Sequence, residues 1–91
     1  MNNWDREEHN FGTVPKGSKL KTVFTYLGTK KIKEMETYCN CVSYLLTGNT
    51  LHVEWKVKPD YKKPTDSQKV IAIIYEDDSL DDLTLKAHIR I

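Results

Sequence analysis

Long apolar runs are missing from this chain. None approaches the roughly 18 residues needed to cross a bilayer as a helix, so no membrane span is expected. Charge of one sign is missing too: 14 Lys and Arg stand against 13 Asp and Glu, a net charge of +1. That balance excludes a global field able to gather nucleic acid or an anionic membrane, so any partner must be read from local patches. Cysteine occurs only twice, too little for a disulfide-built scaffold. The opening Met1-Asn2-Asn3-Trp4-Asp5-Arg6-Glu7-Glu8 has neither the basic start nor the apolar middle of a signal peptide. A cytoplasmic or virion-associated protein with reduced thiols is the expectation. No internal repeat or low-complexity tract appears, and 91 residues hold one domain with a modest core.

What is present is alternation. Leu20, Thr22, Phe24 and Tyr26 share one face of an extended segment, with Lys19, Lys21, Val23 and Thr25 on the other. Leu27 to Lys30 reads as a turn. Ile32 to Tyr38 reads as a strand for which helix competes, because Lys33, Glu34 and Glu36 dilute the pattern. Val42 to Leu46 is a short strand ended by Thr47-Gly48-Asn49, residues suited to a tight hairpin. The clearest strand follows, with Leu51, Val53, Trp55 and Val57 facing a core and His52, Glu54, Lys56 and Lys58 facing water. Pro59 to Ser67, with two prolines, reads as a loop. Val70 to Tyr75 is apolar on both faces, as in a central strand covered on both sides or one lying at a subunit contact. Asp77 to Asp82 reverses the chain, and Leu83, Leu85, Ala87, Ile89 and Ile91 alternate in a final strand. The pattern predicts an all-β, immunoglobulin-like sandwich of about seven antiparallel strands over residues 11–91. Residues 1–10 are predicted to be a loosely held polar arm.

Phe11-Gly12-Thr13-Val14 with Gly17, then Phe24-Thr25-Tyr26-Leu27-Gly28, then Ile32 and Cys39-Asn40-Cys41-Val42 resemble a bacterial Ig-like family related to the Hydin-type (ASH) and major-sperm-protein domains. Its motifs read F-G-x-V-x-x-G, F-x-x-x-N-x-G and C-G-C-T, and the resemblance covers residues 9–91. Asn40 and Val42 replace the family's glycine and threonine. The resemblance implies an Ig-like scaffold that binds and does not catalyse. Gly48-Asn49-Thr50 and Asp82-Leu83-Thr84-Leu85-Lys86 resemble small proteins of large tailed phages.

Candidate chemistry is sparse. Cys39 and Cys41 are one residue apart, whereas zinc pairs are usually two apart; they read as buried thiols at a strand end, with zinc or a bridge as alternatives. His9, His52 and His88 have no spacing that would complete a metal set. The acidic Asp77, Asp78, Asp81 and Asp82 lack the calcium-loop pattern and read as a charged hairpin tip that discourages edge pairing. Lys16, Lys19, Lys21, Lys30, Lys31 and Lys33 are the one basic concentration. They read as a lysine-coated sheet face or, alternatively, as a track for a phosphate backbone. Trp4, alone among polar residues, reads as an anchor for a partner's pocket.

The expected function is a non-enzymatic protein-binding module within a larger assembly such as a phage virion. Trp4, Lys19, Lys21, Lys31 and Lys33 are the candidate contact residues, and a protein partner or a second copy is the expected occupant. The alternative is a small intracellular regulator that engages a host protein or nucleic acid through the lysines. No cofactor, metal, membrane or small-molecule substrate is expected.

Overall fold

The computed structural model describes residues 3–91. Seven strands are present: β1 (Glu8–Pro15), β2 (Lys19–Thr25), β3 (Ile32–Thr37), β4 (Val42–Thr47), β5 (Thr50–Lys56), β6 (Thr65–Tyr75) and β7 (Leu80–Arg90). They form a four-stranded sheet in the order β1-β7-β6-β3 and a three-stranded sheet in the order β2-β5-β4. The two pack as a sandwich around Phe24, Leu51, Trp55, Ile71, Ile73, Tyr75, Leu83, Leu85 and Ile89, all essentially inaccessible to solvent. Period-2 alternation is the cause. Each sheet has an apolar inward face, and only face-to-face packing of the sheets removes both of these from water.

The ambiguous segment Ile32–Thr37 is a strand, paired antiparallel with β6 through Met35–Ile73 and Thr37–Ile71. Tertiary pairing there overrides the weak local pattern. Not every strand is antiparallel, because β1 runs parallel to β7, with a register shift between Asn10 and Thr13. Two boundaries also move. Strand β6 begins at Thr65, inside the expected loop, because Thr65 to Lys69 continue the ladder against Ile89 to Leu85. Strand β7 begins at Leu80, so the reversal is shorter than expected and Asp81 and Asp82 sit opposite Ile73 and Ala72.

Turn chemistry matches the residues that supply it. The β4–β5 hairpin closes with Thr47 opposite Thr50, and Gly48 takes a φ of 59°, as the first central residue of a type II′ turn requires. At the β6–β7 reversal Asp78 has a φ of 66°. The Asp78 N–H donates to the Tyr75 carbonyl and the Tyr75 N–H to the Ser79 carbonyl, so Asp78 takes the left-handed place of a three-residue hairpin loop.

Residues 3–10 are not a loosely held arm. Met1 and Asn2 lie outside the described residues, but Trp4 is 2% exposed and bridges antiparallel to Tyr26. The Asp5 N–H donates to the Thr25 carbonyl, and the Leu27 and Gly28 N–H groups donate to the Asn3 carbonyl. The segment then crosses to the other sheet, where Glu8 onward pairs with β7. Gly28 permits the approach: a Cβ there would lie 2.7 Å from the Tyr26 hydroxyl and 2.8 Å from Asn3 Oδ1.

Candidate interaction surfaces

The Trp4 reading is corrected by what surrounds the indole. Its Nε1–H donates to the Tyr75 hydroxyl at 3.0 Å, and that hydroxyl donates to Asp81 Oδ2 at 2.6 Å. The Asn3 amide donates to the same oxygen at 2.9 Å. Burial, with the Asp81 hydrogen bond next, pushes the Tyr75 phenol far above its ordinary value. The Trp4 ring also lies 5.0 Å from that of Tyr26, which stacks on Tyr75 at 6.1 Å. Trp4 therefore belongs to the core and cannot fill a partner's pocket without unfolding this end of the domain. Its partners lie far along the chain, and nothing in the local pattern of residues 1–10 signals them.

The six lysines do not share one surface. Lys19 and Lys21 lie on β2, whereas Lys33 lies on β3 in the opposite sheet. Lys30 and Lys33 pair with Asp77 and Asp78 of the β6–β7 turn at 3.2 and 3.6 Å. Two hydrogen bonds from Ser79, then Lys30, hold the Asp77 carboxyl down at about 2. The acidic turn thus pairs with two of the six lysines. Lys31 is exposed beside it.

Cys39 and Cys41 are joined by a disulfide. This corrects the expectation of reduced thiols and leaves neither sulfur as a thiolate ligand. The bridge closes the bend between β3 and β4, the edge strands that pass the chain from one sheet to the other. Tyr38, next to it, is 91% exposed.

Two outer faces remain. On the four-stranded sheet, the outward residues in the second half of the inner strand β6 are Val70, Ala72 and Ile74, all partly exposed. Leu80, opposite Ile74, is 64% exposed. An apolar line therefore runs along the strand, and at its end Tyr38 and Val70 both line a shallow depression of about 340 Å³. Acidic residues flank it in register: Glu34 lies opposite Ile74, and Ala72 sits between Glu36 on β3 and Asp82 on β7. Further along the same face, a polar depression of about 620 Å³ is lined by Asn10, Asp66, Gln68, Lys86 and His88. Its charged groups are satisfied locally, His88 by Asp66 at 2.7 Å and Lys86 by Glu8 at 2.9 Å.

The outer face of the three-stranded sheet has the opposite character. Val23, His52 and Leu45 form a row across β2, β5 and β4, with Val23 41% and Leu45 65% exposed. They line a shallow depression of about 460 Å³ whose rim includes Lys21 and Glu54. Lys19 stands directly opposite Lys56. The free edges are less available: the Tyr44 hydroxyl on β4 donates to the Met35 carbonyl on β3 at 2.8 Å, so the two neighbouring edges are tied together.

No family model matches this chain, and no curated protein matches its sequence significantly.

Proposed function

We propose that the chain is a non-enzymatic Ig-like protein-binding module, a structural or accessory component of a larger assembly. The observation that supports this reading is the outward face of β6. Val70, Ala72 and Ile74 are apolar on a face that nothing in the described residues covers, and Leu80 extends them. An inner strand with apolar residues on both faces belongs in a sheet covered on both sides, and a contiguous apolar strip rimmed by polar groups marks a protein contact. The resemblance of the Phe11–Gly17 and Cys39–Val42 segments to the ASH-related Ig-like family favours binding over catalysis. The phage-like Gly48-Asn49-Thr50 and Asp82–Lys86 segments favour a virion as the assembly.

Ile74→Lys tests the proposal, because the side chain points outward and the change leaves the core untouched. Native mass spectrometry of material purified from its source should show wild type bound to its partner and the variant, equally folded, released from it. An Ile74→Lys protein recovered with the same partner at the same stoichiometry would sink the proposal.

A further inference from the structure

We infer that the occupant of the acidic, apolar face is the basic face of a second copy, so that copies stack face to back. This rests on the protein-binding reading above and names its partner. Three observations carry it. First, the two outer faces are complementary in kind: Tyr38, Val70, Ala72, Ile74 and Leu80 flanked by Glu34, Glu36 and Asp82 on one side, Val23 and Leu45 with Lys19 and Lys56 on the other, where Lys21 is already paired with Glu54 at 3.7 Å. Second, among the described residues Glu34, Glu36, Asp82, Lys19 and Lys56 take part in no ion pair, so their charges remain to be met from outside. Third, Lys19 directly faces Lys56 across the ladder, an arrangement that disfavours the isolated sheet and that an opposing carboxylate would relieve.

Size is compatible. The molecule measures 43 × 20 × 20 Å, and an 11-residue strand, at about 3.3 Å per residue, fits only the long axis. The four-stranded face therefore has dimensions near the roughly 800 Å² per partner of a standard interface, and the three-stranded face, with strands of 6 or 7 residues, covers part of it. Because the two faces differ and lie on opposite sides of the sandwich, the contact is heterologous. It propagates into a row, or closes into a ring if the rotation allows, and does not stop at a two-fold dimer.

Sedimentation of the purified chain against protein concentration and salt tests this with four proteins. Wild type should associate beyond the dimer and return to monomer as salt screens the charges. Glu34→Lys with Glu36→Lys, and separately Lys19→Glu with Lys56→Glu, should each weaken association about tenfold or more, all four positions being exposed. An equimolar mixture of these two double variants should associate again, since each acid-for-base face then meets its match. A chain carrying all four changes should self-associate like wild type. Monomer up to about 1 mM, association indifferent to salt, or a mixture that stays monomeric would overturn the inference. The Ile74→Lys experiment reads the protein-binding proposal separately, so a monomeric wild type whose partner is still lost on that substitution would retire only the stacking.

Discussion

Trp4 and Trp55 are both buried, yet only one was legible in the sequence. Trp55 alternates with Leu51, Val53 and Val57, so local periodicity assigns it to the core. Trp4 sits among polar neighbours, and what buries it is a bridge to Tyr26 and a hydrogen bond to Tyr75, 71 residues away. Truncation should make the two equivalent. Trp4→Ala is expected to cost about 3–5 kcal/mol, as Trp55→Ala should, and a chemical-denaturation midpoint near wild type would contradict its core placement. His9 adds a pH dependence. It lies 3.2 Å from Arg6 and 4.6 Å from the Phe11 ring, and burial, with the Arg6 charge second, lowers its pKa from 6.5. Its folded-state pKa lies below the unfolded value, so as pH falls below 6.5 the unfolded chain takes up the proton first and stability declines. His9→Gln should flatten that part of the stability–pH curve. An unchanged slope would show that other groups set it.

At the scale of elements, the core strands followed from alternation, and their ends did not. Thr65 to Lys69 are mostly polar and yet form a ladder, because the amphipathic Leu85 to Ile89 segment presents them with a partner. Asp81 reads as turn residue by type, but its carboxylate accepts from Tyr75 and Asn3 and so belongs to a strand. Such ends are decided by a pairing partner that a local pattern does not name. The same turn offers a stabilising change. Asp78 holds a φ of 66°, a conformation that glycine adopts without a Cβ penalty. Asp78→Gly is expected to shift the balance by no more than about 1 kcal/mol in favour of the fold, partly offset by the lost ion pair with Lys33 at 3.6 Å. A thermal melt in which this variant loses several degrees would show that the aspartate side chain matters more than the backbone.

For the molecule as a whole, the sandwich was legible and the proposed interaction surface only half so. The apolar outer residues of Val70 to Tyr75 were visible as a two-faced run that fits either a covered strand or a subunit contact. Their acidic flanks were not, because Glu36 and Asp82 are 46 residues apart in number and become neighbours of Ala72 only through the β3-β6-β7 order. The lysines mislead for the converse reason, since proximity in sequence places them in different sheets. Carboxylate footprinting of the protein within its native assembly, compared with the isolated domain, is the most direct test of the claim that the β6 face is where this module binds. Glu34, Glu36 and Asp82 are expected to lose labelling in the assembly, while the exposed Asp60, in the loop between β5 and β6, labels equally in both. Equal labelling of Glu34, Glu36 and Asp82 in the two states, with protection appearing elsewhere, would contradict it.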